Sequence, residues 1–169
     1  MKGIILVGGL PGSGKSFFAS RLAKTAGAFY LGSDKIRKAM VASGKYTRTD
    51  KLAVYRALAH RAEEALKKST WVVVDATFSH RVMRDIFLDL AARLSVPCVF
   101  FWLDANEVLI KQRLSNPRPD SEADYAVYET LRDQLEAIET PHITLESTND
   151  NIDTLLETGL NLMRDYEGT

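Results

Sequence analysis

Ile4-Ile5-Leu6-Val7-Gly8-Gly9-Leu10-Pro11-Gly12-Ser13-Gly14-Lys15-Ser16 opens the chain after three residues and decides its fold. Residues 4–7 form an uncharged aliphatic run short enough for a fully buried strand. Residues 9–16 then satisfy G-x-x-x-x-G-K-S, and helical spacing of apolar residues begins at once over 16–26, with Phe17, Leu22 and Ala26. Strand, glycine-rich loop and helix in that order are the context a phosphate loop requires. The glycines let the backbone wrap closely, and its N–H groups and the helix N-terminus point at phosphate oxygens. Lys15 is then placed to reach the β- and γ-phosphates, and the Ser16 hydroxyl to ligate Mg²⁺. The nucleotide-binding set expected here is Gly9, Leu10, Pro11, Gly12, Ser13, Gly14, Lys15, Ser16 and Phe17, with ATP and Mg²⁺ as the cofactors.

Further strand-like runs occur at 28–31, 71–75, 99–103 and 143–145. Helical spacing separates them over 51–68, 80–94, 106–114, 121–140 and 152–163. Short buried strands alternating with helices imply a parallel sheet covered on both faces. Ligands of such sheets bind at the carboxyl ends of the strands, so polar residues just after strands are the ones to weigh. With 169 residues and no repeat or linker, a single domain over 1–169 is expected.

Composition narrows the class. Hydrophobic residues make up 46% and charged residues 26%, as in ordinary globular proteins. No apolar run approaches the roughly 18 residues of a membrane-spanning helix, and 4–7 is too short for a signal-peptide core. One cysteine, Cys98, excludes an internal disulfide framework and a multi-cysteine zinc site and fits a cytoplasmic protein. The net charge of zero conceals a split. Residues 1–51 carry ten Lys/Arg against two Asp/Glu, a net of +8, and residues 120–157 carry one against eleven, a net of −10. The neutral total argues against indiscriminate binding to long nucleic acid, whereas the basic half suits a phosphate-bearing ligand. Two solvated faces would produce the same pattern.

After the second strand, Ser33-Asp34-Lys35-Ile36-Arg37 sets a carboxylate and a guanidinium three residues apart on one helix face. Asp34 could accept the proton of an attacking hydroxyl while Arg37 fixes an acceptor or transition-state oxygen. The same residues also suit a helix start, with Ser33 as N-cap and Asp34 on the dipole. Trp71-Val72-Val73-Val74-Asp75 has the form of a Walker B strand whose terminal acid holds Mg²⁺ directly or through water. Ala76 follows, so the second acid by which many motor ATPases polarise water is missing, which favours transfer to a bound acceptor. Arg113 and Arg118 flank a proline-bearing break, Ser115-Asn116-Pro117-Arg118-Pro119, that reads as a short lid at about 113–121. Their guanidinium groups suit charge on a transferring phosphoryl group, and Arg113 also suits stacking on a base. Ser121-Glu122-Ala123-Asp124 reads as a capping-box helix start.

Other residues have plainer readings. His60, His80 and His142 lack metal-ligand spacing, and Trp71, Trp102 and Cys98 read as core or sheet-end residues. Lys35, Arg37, Lys38, Lys45, Arg48 and Lys51, broken by Tyr46, either line an acceptor site or are solvated.

PGSGKS, D-x-x-R after the second strand, the strand ending Asp75-Ala76-Thr77 and the later arginine pair together resemble 5′-hydroxyl polynucleotide kinases and zeta toxins. The stretch 72–78, His80-Arg81 and 120–124 look closer still to the ATP-binding kinase-like domain fused to aminoglycoside-phosphotransferase-like domains in bacteria. The resemblance runs over roughly residues 1–158. It implies a P-loop NTPase three-layer sandwich with a five-stranded parallel sheet, order 2-3-1-4-5, and an ATP-dependent phosphotransferase. It implies Asp34 as the base for the hydroxyl, Arg37 on the acceptor side and Arg118 as the lid arginine, with Lys15 completing the catalytic group. The chain departs from phage-type polynucleotide kinases in having DAT where they have DTN, and in a shorter lid with Pro117 and Pro119.

The expected function is therefore an ATP- and Mg-dependent kinase acting on a hydroxyl of a small molecule or a nucleic-acid 5′ end, with no membrane partner. The alternatives are a nucleotide-driven switch acting on a partner and a toxin-like sugar-nucleotide kinase. No N-K-x-D motif follows the fourth strand, which disfavours a GTPase.

Overall fold

The computed structural model describes residues 2–40, 47–116 and 123–168. Five strands, β1 (Gly3–Gly8), β2 (Phe29–Gly32), β3 (Trp71–Asp75), β4 (Cys98–Asp104) and β5 (Ile143–Glu146), form one sheet in the order β2-β3-β1-β4-β5. All four pairings are parallel. The helices are α1 (Lys15–Ala26), α2 (Ser33–Met40), α3 (Arg48–Leu66), α4 (Arg81–Leu94), α5 (Glu107–Leu114), α6 (Tyr125–Asp133) and α7 (Ile152–Glu167).

Alternation along the strands builds two cores. Ile4, Leu6, Val72, Val74 and Phe100 meet Leu58 and Ala62 of α3 and Phe87 of α4 on one face. Ile5, Val7, Val73 and Phe101 meet Phe18 and Leu22 of α1 and Leu155 and Met163 of α7 on the other. This is the expected three-layer P-loop NTPase sandwich, and strand order 2-3-1-4-5 is the one expected. Every residue of β1 is buried, as a central parallel strand must be. Among the described residues no helix is long and apolar enough to cross a membrane.

Element ends are set by hydrogen bonds that apolar periodicity does not register. The second strand starts at Phe29, not 28, because the Ala28 N–H is spent on Ala23 O in a 6→1 closure of α1, with Gly27 left-handed at φ 66°. Gly32 joins that strand at its far end by pairing with Asp75. The third helix starts at Arg48, ahead of the expected 51, since Thr47 and Asp50 form a reciprocal capping box. Ser33 is already the first residue of α2, not the residue before it.

The largest correction concerns 121–140. The helix there spans only Tyr125–Asp133, and its N-cap is Asp124, whose side chain accepts from Val127 N. Beyond it the backbone turns to tertiary partners: Glu136 N donates to Ser79 O at 3.0 Å, and Arg84 donates to Ala137 O at 3.0 Å. Leu135 and Ile138 pack on the core. Apolar spacing is satisfied there without a helix. Ser121 and Glu122 lie outside the described residues.

Trp71 and Trp102 are buried as expected, and burial pushes the Cys98 thiol up to about 12. His142 lies against the Phe100 ring, and His80 precedes α4, with Nδ1 3.0 Å from Ser79 Oγ.

Candidate active site

The loop 9–14 leaves β1 at the carboxyl edge of the sheet and closes a tight turn, Ser13 N donating to Leu10 O at 3.1 Å. Its base is tied to the end of β3: Ala76 N donates to Val7 O and Gly9 N to Thr77 O. A Cβ on Gly9 would lie 2.7 Å from the Leu103 carbonyl oxygen, so only glycine lets β4 approach this closely. Gly14, at φ 88°, turns the chain into α1. Lys15 and Ser16 are half-buried at the start of that helix, with Lys15 in no ion pair among the described residues. Pro11 and Ser13 are buried, and Leu10 packs against the cores beside the loop. The ring of Phe17 is half-exposed beneath the Arg21 guanidinium, 3.4 Å from its centroid.

Arg113 braces the loop from the last turn of α5. It donates to Gly12 O and Ser147 Oγ, both at 2.9 Å, and to Thr148 O at 3.1 Å. Ser147 Oγ donates in turn to Ser13 O at 2.6 Å. The guanidinium thus joins the phosphate loop to the segment between β5 and α7. Three hydrogen bonds hold Arg113, which the sequence set at the start of a lid, against the phosphate loop. Arg118 lies outside the described residues, as do Lys45, Tyr46, Pro117 and Pro119.

On the other side, Asp75 ends β3 almost fully buried. Its Oδ2 accepts a 2.7 Å hydrogen bond from the Tyr30 hydroxyl, and its Oδ1 is buried with no partner among the described residues. Ser16 and the Asp34 carboxylate both lie near enough to the Tyr30 phenol to influence its pKa. Burial first, and then the charges of Asp75 and Asp34, push the Tyr30 phenol well above its usual range, so it stays protonated. Asp34 and Arg37 do share a face of α2, as an ion pair at 3.8 Å with Asp34 half-exposed. The fold therefore brings Ser16, Tyr30, Asp34 and Asp75 to one strand-end cluster.

These donors fit a hard divalent cation. Asp75 offers an unpartnered carboxylate oxygen and Ser16 a hydroxyl, and no cluster of three metal-ligating side chains exists among the described residues. Mg²⁺ is held in this way, by one carboxylate or hydroxyl plus substrate phosphates rather than by an all-protein cage.

Two participants escape sequence reasoning. Tyr30 reads as an ordinary edge-strand aromatic, and only the fold shows its hydroxyl on Asp75. Arg84 is 1% exposed within α4, where burial lowers its pKa, and donates to Phe78 O at 2.8 Å. Phe78 is left-handed at φ 54°, and the Tyr55 hydroxyl accepts from its N–H at 2.9 Å. Side chains of α3 and α4 thus clamp the turn whose Thr77 carbonyl meets Gly9.

A glycine-rich loop between a central parallel strand and a helix, facing a buried strand-end acid, defines a P-loop NTPase. The chain belongs to the AAA domain family AAA_33, whose model matches residues 4–141. It is 29% identical over 123 residues to the uncharacterized protein Rv2004c of Mycobacterium tuberculosis strain H37Rv, covering 66% of this chain and 25% of that protein. The chain thus spans about a quarter of the length of the curated relatives it matches. Among solved structures it is similar to a sugar kinase from Janibacter sp. HTCC2649, with TM-score 0.74 and 21% identity over 97% of this chain and 95% of that one. It is similar also to the Mycobacterium tuberculosis APS kinase CysC in complex with AMPPNP and APS, with TM-score 0.75 and 20% identity over 96% and 98%. Chaetomium thermophilum Kti12 in complex with ADP-AlF3 follows at TM-score 0.69 and 17% identity over 96% and 97%. At these identities the likeness is one of fold.

Proposed function

We propose that the chain is an Mg·ATP-dependent phosphotransferase that moves the γ-phosphate to a hydroxyl of a small molecule or of a nucleic-acid 5′ end. One observation carries this reading: a half-exposed carboxylate, Asp34, paired with Arg37, stands beside the Ser16–Tyr30–Asp75 cluster. A strand-end acid next to the metal side serves hydrolysis and transfer alike. A second, solvent-accessible carboxylate on the neighbouring helix serves a hydroxyl nucleophile. The APS kinase structure, which holds AMPPNP and APS on this fold, supports the nucleotide half of the reading.

In this reading residues 9–17 and Arg113 hold ATP, Lys15 contacts the β/γ-phosphates, and Ser16 and Asp75 hold Mg²⁺. Held by Ser16 and Asp75, a cation would supply positive charge to offset that of the phosphates. Asp34 accepts the proton of the attacking hydroxyl, Arg37 fixes an acceptor oxygen, and Arg118 contributes a cationic group from the lid. Arg113 shapes the nucleotide pocket through the Gly12 and Thr148 backbone. The resemblance to 5′-hydroxyl polynucleotide kinases supports the roles of Asp34, Arg37 and Arg118.

Asp34→Asn tests the assignment, because it keeps size and helix position but removes the base. ATP affinity is expected to stay near wild type while transfer falls roughly 10²–10⁴-fold, the usual worth of a positioned general base. Transfer at the wild-type rate would reject the base and leave the nucleotide-driven switch as the better reading.

A further inference from the structure

We propose that Tyr30 is a positioning residue of this site, the head of a Tyr30–Asp75 relay that orients the carboxylate toward a divalent cation. The inference rests on the reading that Mg·ATP binds at residues 9–16, and it concerns a side chain that reading leaves idle.

Hydrogen-bond direction carries the argument. The Tyr30 proton is committed to Asp75 Oδ2 at 2.7 Å. That bond stops the Asp75 carboxylate from rotating and leaves Oδ1 as its unpartnered oxygen, turned to where a cation can take it.

The backbone is shaped for this contact. Tyr30 is paired with Val73 and Gly32 with Asp75, so the ring must reach forward along its own strand to touch Asp75. It does so over Gly32, where a Cβ would lie 3.0 Å from the Tyr30 oxygen and 3.4 Å from the ring. A side chain at position 32 crowds the hydroxyl, which must then give by a few tenths of an ångström. A tyrosine on an edge strand kept only for packing would need neither the glycine nor the carboxylate.

The test is Mn²⁺ binding to the full chain with the non-hydrolysable analogue AMPPNP, followed by electron paramagnetic resonance. It is paired with AMPPNP affinity in EDTA by calorimetry. Tyr30→Phe keeps the ring and removes the relay, and is expected to weaken Mn²⁺ roughly five- to tenfold, about the net worth of one ordinary hydrogen bond. Metal-free AMPPNP affinity should stay within about twofold, because the relay touches no phosphate. Gly32→Val, which keeps the hydroxyl but displaces it, is expected to show the same split. Unchanged or tighter Mn²⁺ binding in Tyr30→Phe would overturn the relay, as would an equal loss with and without metal, which marks a structural role. Wild-type protein that binds no AMPPNP in either condition would reject the reading beneath it, and the relay with it.

Discussion

Lys15 sits half-buried at the start of α1 with no ion pair among the described residues, the state that suits a phosphate-binding lysine before its ligand arrives. Lys15→Ala is therefore expected to lose at least several-fold in ATP affinity, or nearly all turnover, since a charge-assisted phosphate contact disappears. Calorimetry and turnover both at wild-type values would exclude the contact. Asp75→Asn is expected to raise the Mg²⁺ concentration for half-maximal nucleotide binding, and an unchanged metal titration would leave Asp75 as a strand end only. Lys15, Ser16, Asp34 and Asp75 could be singled out as candidates because each ends a strand or follows one, where the sheet geometry makes any polar side chain a site candidate. Tyr30 and Arg84 were not. A tyrosine in a strand and an arginine in an amphipathic helix carry no local signal of a partner 45 residues away for one, or of two backbone carbonyls for the other.

At the scale of elements, strands came within a residue or two and helix ends erred where caps decide them. Thr47–Asp50 extends α3 backward, and the contacts of Glu136 and Ala137 end α6 early. Both effects are polar and mostly non-local, so apolar periodicity is blind to them. They also place the clamp on the turn at Phe78. Arg84→Ala would leave the Phe78 and Ala137 carbonyls without their donor and open a cavity, a loss of about 2–4 kcal/mol. For a chain of this size each kcal/mol lowers Tm by about 2–4 °C, so a clear drop is expected in thermal unfolding. A Tm within about 2 °C of wild type would show that the clamp does not bear on stability. Arg113→Ala, which releases the Gly12, Ser147 and Thr148 oxygens, is expected to weaken nucleotide binding several-fold even without Mg²⁺. Equal affinity in EDTA would show that the loop holds its shape without the brace.

For the molecule as a whole, strand order followed from the phosphate loop and the resemblance it supports, whereas the acceptor is written nowhere in one chain. The basic residues of α2 and α3, including Lys35, Arg37, Lys38, Arg48 and Lys51, bear on it through their charge. A polynucleotide acceptor would bind with an affinity that falls as salt rises, through counterion release, and a small neutral acceptor would not. The account stands most directly on transfer itself. Wild-type protein and Asp34→Asn, incubated with γ-labelled Mg·ATP across 5′-hydroxyl oligonucleotides, nucleosides, sugars and aminoglycosides, should differ in one respect. The wild type is expected to label at least one hydroxyl acceptor, and the variant to bind ATP normally while labelling it roughly 10²–10⁴-fold more slowly. Label released only to water by both proteins, or transferred equally by both, would contradict the account.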